Sequence, residues 1–368
     1  MKSLAAMARW GISAVAAGAL LALASGAAEA AGPMAGSEAT IAVGQARAVP
    51  IVSPDGTRAY VATADGQKRL YVKAVDTRTD EIVGQVAVGY DDWLKGLALS
   101  PDGSQLYLLN ASTLTVVDTA SLTVLHTTTV PDQPRPDSWT AGETERLALS
   151  PDGATLYISQ DGPHGFRAVG NGRILTFATA QRGFTGSVEV PTVWARGLAV
   201  RPDGRGLYVG GSSGVVRLDT AGAVPTVVRT IPDTATALGT GHDLALTPDG
   251  RRLLAVNATG SGQGELIDTA TDTPTAHLTL TGSWAGLGNP RPGVDGTRFY
   301  VTTGDTDSGA SVLALDAATG AVVPAETVTG LDEVWVNGLA VGPDGHTFYA
   351  GGYVKDVDSV ANLQIIPF

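Results

Sequence analysis

The tripeptide Pro-Asp-Gly recurs along this chain of 368 residues and limits what it can fold into more than any other feature. It stands at Pro54-Asp55-Gly56, Pro101-Asp102-Gly103, Pro151-Asp152-Gly153, Pro202-Asp203-Gly204, Pro248-Asp249-Gly250 and Pro343-Asp344-Gly345. A worn copy, Val294-Asp295-Gly296, lies between the last two. Successive glycines are 47, 50, 51, 46, 46 and 49 residues apart. Seven copies at a near-constant period mean one supersecondary unit used seven times.

The tripeptide is a turn. Proline presets φ at the first corner, aspartate tolerates the second, and glycine takes the left-handed position that feeds the next strand. The flanking runs, such as Gly96 to Ser100 before it and Ser104 to Asn110 after it, read as strands, so each copy is a hairpin. Two further strands follow in each unit. The first usually ends in Asp-Thr, at Asp76-Thr77, Asp118-Thr119, Asp219-Thr220 and Asp268-Thr269, with Asp316-Ala317 a near match and Ala178-Thr179 a departure. Such an aspartate fixes the turn by accepting a backbone N–H two residues on. Seven sheets of four antiparallel strands, repeated radially, make an all-β seven-bladed β-propeller. The last unit lacks a fourth strand, and Ala39 to Gln45 is a spare one. The two together are expected to complete blade seven and leave no open radial end. Within the innermost strands (GLALS, RLALS, GLAVR, DLALT, GLAVG) small and large residues alternate, so that Leu or Val of one blade meets Gly or Ala of the next.

Residues 1–30 have the form of a secretory signal. Lys2 and Arg9 supply the positive start, Gly11 to Ala24 is apolar, and Ala28-Glu29-Ala30 is a small-x-small cleavage site, which predicts cleavage after Ala30 and a secreted or extracytoplasmic protein. Residues 31–37 read as a short flexible lead and 38–368 as one propeller domain. Removing the signal shifts the formal net charge from −12 to −13. That excess argues against nucleic acid and against anionic membrane as partners. The absence of cysteine excludes disulfides, thiolate catalysis and thiolate metal sites.

The repeat resembles the YVTN, or surface-layer-like, β-propeller family. The residues that carry the resemblance are the Pro-Asp-Gly turn, the strands LYLLN, LLAVN and FYVTT that follow it, and the Asp-Thr turn. It extends over essentially all of the chain after residue 30 and implies seven blades. It also implies a range of activities, since the family includes extracytoplasmic binding proteins and has lactonases and lyases among its relatives. Unit three departs by a long insertion, from Gln160 to Arg173, and unit six by the lost turn proline.

Chemistry is expected on the rim where each innermost strand begins. Six residues before each turn proline, or its Val294 equivalent, stand Ala48, Lys95, Glu145, Arg196, His242, Gly288 and Asn337. Five are polar or ionisable, which suits a ligand-binding ring; the alternative is a solvated mouth whose charges pair with one another. Trp93, Trp194 and Trp335 lie two residues earlier, with Trp139 and Trp284 in related loops; they either stack on flat ligands or pack between blades. The rim loops also carry Asp65, Asp161, Asp305, Asp307, Asp356 and Asp358, without a full calcium loop. The histidines at 126, 164, 242, 277 and 346 have no metal-ligand spacing, so no metal is expected. No Gly-x-Ser-x-Gly turn and no phosphate loop is present, and no cofactor is expected. Asn110-Ala111-Ser112 and Asn257-Ala258-Thr259 are glycosylation sequons.

These residues predict a monomeric binding module. It takes a small anionic or polar ligand, or a protein, through Trp93, Lys95, Glu145, Arg196, His242, Trp335 and Asn337. A lactonase- or lyase-type enzyme is the alternative, with Glu145 or His242 carrying the proton and Arg196 steadying a carboxylate or enolate. A passive surface-layer scaffold is the third reading.

Overall fold

Each Pro-Asp-Gly turn fixes itself before it meets anything distant. In all seven, including the Val294 copy, glycine is left-handed, with φ between 68° and 74°. The turn aspartate accepts the backbone N–H two residues on, as from Ser104 to Asp102 at 3.0 Å and from Thr297 to Asp295 at 2.9 Å. The Asp-Thr turn then locks onto it. Thr77, Thr119, Thr220 and Thr269 donate their hydroxyls to the carbonyls of Gly56, Gly103, Gly204 and Gly250. Thr179, although its neighbour is Ala178, keeps the same bond to Gly153 at 2.8 Å.

The computed structural model describes residues 34–35, 39–212, 214–232, 242–257, 262–280, 287–304, 310–331, 335–353 and 360–368, apart from the side chains at 34, 35, 46, 335 and 353. The expected signal and its cleavage site, Trp284, Asp305, Asp307, Asp356, Asp358 and the end of the second sequon lie outside the described residues.

The hairpins build seven sheets around an axis, and the chain is a seven-bladed β-propeller of four antiparallel strands per blade. Blade 2 shows the order from axis to rim: Gly96–Leu99, Gln105–Asn110, Thr113–Asp118 and Thr123–Thr129. The second strand is buried on both faces because it has a blade on either side; Leu106, Leu108 and Leu109 are all at 1% exposure or less. The outermost strands alternate between half-buried and exposed. Neighbouring innermost strands touch all the way round, the last (Trp335–Val341) meeting the first (Ala46–Val52).

Small residues let the blades close. A Cβ on Gly96 would lie 3.1 Å from Leu147 of the next blade, and one on Gly338 would lie 2.9 Å from Pro50. The turn glycines repeat this on the opposite face. A Cβ on Gly103 would meet Pro54 at 3.1 Å, one on Gly153 would meet Pro101 at 2.8 Å, and one on Gly56 would meet Pro343 of blade 7 at 3.0 Å. The turns therefore form a second ring, each glycine against the preceding turn's first residue, a proline in six cases and Val294 opposite Gly345.

Blade 7 is built from both ends of the described chain: Ala39–Gly44 pairs antiparallel with Ala361–Pro367, with Ile41 opposite Leu363. Blade 6 is the irregular one. Its outer strand is only Val328–Thr329, entered through a 3-10 turn at Pro324–Glu326, and Met34–Ala35 adds to it in parallel. No helix among the described residues is long and apolar enough to cross a membrane.

Candidate functional site

The innermost strands do not all enter the ring in step. β-Bulges interrupt four of them, between Ala46 and Val49, Thr144 and Leu147, Gly288 and Arg291, and Val336 and Gly338. Two bulged strands carry proline, Pro50 and Pro290, where the others carry leucine, and proline has no N–H to give the ladder. Two bulge residues are left-handed, Arg47 at φ 58° and Asn289 at φ 47°. A bulge re-aims its side chains, and here the result is shared: Arg47, Glu145, Arg146, Asn289 and Asn337 all line one cavity on the axis of the ring.

That cavity has a volume of about 490 Å³ and receives residues from all seven blades. Lys95 joins the bulge residues near the mouth. Leu97, Leu147, Leu198, Leu244 and Leu339 form an apolar collar, with Asp243 and Arg291 in the same wall. The collar leucines are the large members of the small-large alternation, so they serve both the packing between blades and the cavity.

Three of the seven residues expected at the mouth line the cavity: Lys95, Glu145 and Asn337. Ala48 is fully buried. His242 is 4% exposed and does not line the cavity; its backbone carbonyl stands against blade 4, where a Cβ on Gly197 or Gly210 would lie 2.3 or 2.0 Å from its oxygen. Arg196 lies beside the cavity rather than in its wall, with Nε 3.6 Å from Asp161 and its guanidinium 5.1 Å from the Trp194 ring centre.

The mouth charges are paired in a continuous cluster across blades 2, 3 and 4. The Lys95 side chain is 4% exposed, its Nζ 2.8 Å from Glu143 and 3.7 Å from Glu145. The bond from Lys95 holds the Glu143 carboxyl below its ordinary range. Asp161, at the start of the blade 3 insertion, is 3% exposed and accepts the Ala195 N–H at 2.8 Å. Burial first, then the neighbouring charge of Glu145, push its carboxyl up to about 7, against the opposing pull of Arg196. Asp161 and Glu145 thus form a pair of neighbouring carboxyls.

The tryptophans differ from one another. Trp93 does not pack between blades: it is 60% exposed, left-handed at φ 75°, and covered on one face by Arg47 at 4.5 Å. Asp91 holds the group, accepting the Trp93 N–H at 3.1 Å and lying 3.6 Å from Arg47. Trp139 lies against Gly165 beneath the small hairpin of the insertion (His164–Gly165 with Ala168–Val169). The side chain of Trp335 is outside the described residues. Asn110 of the first sequon is 5% exposed and donates to the Tyr90 carbonyl at 2.7 Å, so its amide is committed to the fold. No three His, Asp or Glu among the described residues converge as a metal site.

Counting at fixed distance from the turn proline missed Arg47, Arg146, Asp243 and Asn289, each one residue off the counted position, and Arg291, three residues off it. The available signal was Pro50 and Pro290, interior prolines that mark a bulge.

No family model matches the chain. Over 122 residues it is 30% identical to the seven-bladed beta-propeller protein Rv1057 of Mycobacterium tuberculosis, a match spanning 33% of this chain and 28% of that protein. Among solved structures, Kuenenia stuttgartiensis hydrazine synthase superposes with a TM-score of 0.68 at 20% identity, covering 88% of this chain and 96% of that one. A chain of the mitotic checkpoint complex superposes with a TM-score of 0.68 at 16% identity, covering 99% of each. These likenesses support the propeller fold and leave the activity to be argued from the site.

Proposed function

We propose that this protein is an exported binding module that takes a small polar or anionic ligand into the axial cavity through the mouth bearing Lys95, Glu145 and Asn337. The observation that supports this reading most is the set of four bulges. A ring that served only as scaffold gains nothing from interrupting four innermost ladders, and each interruption directs a polar side chain into one cavity. The charge of the wall adds to it. Arg47, Lys95, Arg146 and Arg291 face Glu145 and Asp243, four cations against two carboxylates, in a chain whose net charge is −12. Trp93, held flat by Arg47, offers an aromatic face at the edge.

Isothermal titration of the purified protein with a panel of small carboxylates, phosphorylated and carboxylated sugars, and neutral sugars tests this. Anions are expected to bind, and Lys95→Met together with Asn337→Ala to weaken them about tenfold or more. Binding of neutral sugars alone, or no binding, overturns the anionic reading. Export is tested by the mature N-terminus, expected at Ala31 in the extracytoplasmic fraction.

One observation favours the enzyme reading. The Asp161 carboxyl retains its proton to near neutrality beside Glu145, an arrangement suited to general acid work on a lactone or an enolisable acid. Turnover of a lactone panel that Glu145→Gln abolishes, with binding retained, would establish it; binding without conversion leaves the module.

A further inference from the structure

We propose that Arg291, below the mouth, anchors the carboxylate of an amphipathic monocarboxylic acid whose apolar body fills the leucine collar. The inference rests on the binding-module reading and names its ligand class. Arg291 donates from Nε to the Leu339 carbonyl at 2.7 Å and from Nη1 to the Pro290 carbonyl at 3.0 Å. Both partners are neutral, and no carboxylate among the described residues lies within 4 Å of its guanidinium. Arginines elsewhere in the ring have such partners: Arg58 with Asp76, Arg217 with Asp272, Arg298 with Glu326. Two backbone carbonyls orient the guanidinium without neutralising it. Burial works against its charge and lowers its pKa; the carboxylate of Asp243 pulls the other way, and the positive charge of Arg146 adds to the lowering.

The surroundings set the ligand class. Arg146 of blade 3 reaches Asp243 of blade 5, Nη2 to Oδ2 at 3.3 Å, so that pair is largely spoken for. Arg146, Asp243 and Arg291 together leave one positive charge in the wall, which a single negative charge balances. A half-buried charge of this kind carries a desolvation cost that an opposite charge with good hydrogen bonds offsets, and a carboxylate accepts from a guanidinium fork. The remaining wall at this depth is leucine, which favours an aliphatic or aromatic body over a sugar or a nucleotide. A cavity of about 490 Å³ suits a small organic acid.

The test titrates octanoate, 1-octanol and octyl phosphate into the full chain, wild type and variant. Octanoate is expected to bind, 1-octanol to bind at least tenfold more weakly, and Arg291→Met to reduce octanoate affinity about tenfold while leaving 1-octanol unchanged. Asp243→Asn adds a positive charge to the same wall and is expected to tighten octanoate; it serves as the second variant where Arg291→Met fails to fold. Octyl phosphate binding tighter than octanoate overturns the carboxylate assignment. If octanoate binds and Arg291→Met and Asp243→Asn both leave it unchanged while Lys95→Met weakens it, the anchor is wrong and the mouth reading stands. If polar anions bind and octanoate does not, the amphipathic class is wrong. If no anion binds, both readings fall.

Discussion

Gly153 and Gly204 hold the same turn one blade apart and differ in what faces them. Both are left-handed, at φ 71° and 68°, but a Cβ would stand 2.8 Å from Pro101 Cδ at Gly153 and 3.8 Å from Pro151 Cδ at Gly204. Gly204→Ala is therefore expected to cost about 1 kcal/mol, the conformational term alone. Gly153→Ala should cost measurably more in urea unfolding, because it also presses on a ring that cannot yield; equal costs would show that the inter-blade contact carries nothing. Two carboxyl populations set opposite pH responses. Asp76 and Asp102 are held at about 2, Asp76 chiefly by the Arg78 N–H and Asp102 chiefly by the Ser100 hydroxyl. Their contribution is present above the unfolded value near 3.8 and is lost as pH falls toward 2. Asp161, raised to about 7, works the other way: its contribution is complete below 3.8 and is lost as pH rises to about 7. Asp161→Asn should remove the decline in melting temperature between about pH 4 and 7 that wild type shows. The same decline in the variant would refute the assignment.

At the scale of the element, the informative strands are the imperfect ones. The paired strand Ala39–Gly44 places Val43 fully buried between Ala361 and the blade 1 core. Deleting residues 31–45 should therefore lower the melting temperature by many degrees, and Val43→Ala should cost about 2 kcal/mol in chemical denaturation. A melting temperature unmoved by the deletion would mean that this strand contributes no closure. The innermost strands argue the converse, that a local defect can be selected. Replacing Pro290 with leucine, to imitate the unbulged strands, should restore regular pairing beside Arg291. Folding is expected to survive and anion affinity to fall, read as stability gained or kept with binding lost. Unchanged binding would detach the bulge from the site.

For the whole molecule, the separation of charge matters more than its sum. A surface of net negative charge surrounds a wall in which cations outnumber carboxylates. Anions are thus repelled at long range and attracted inside, and only the long-range part is screened by salt. Raising ionic strength from 10 to 150 mM should speed association of an anionic ligand while changing its dissociation little. A fall in association rate would place the attracting cations on the surface instead.

Architecture was legible because it is written in local chemistry repeated seven times. Pro-Asp-Gly makes its turn with its own side chain and a single φ, and Asp-Thr bonds back onto it, so blade number, strand order and even the Val294 copy could be read without any distant contact. The site was only partly legible. Lys95, Glu145 and Asn337, at the counted position, fell on the cavity. Arg47, Arg146, Asp243 and Asn289 escaped it because they sit one residue off the counted position, and Arg291 because it sits three residues off; which of these side chains reach the axis depends on the local register, which bulges alter in four of the seven strands. His242, at the right count, is buried outside the cavity wall, and it is its backbone carbonyl that approaches Gly197 and Gly210. Which side chains share a wall depends on register between strands and on the reach of arginine across the ring, both properties of closure. The repeat determined the ring; the departures from it, resolved only when seven blades meet, decided which charges face the axis.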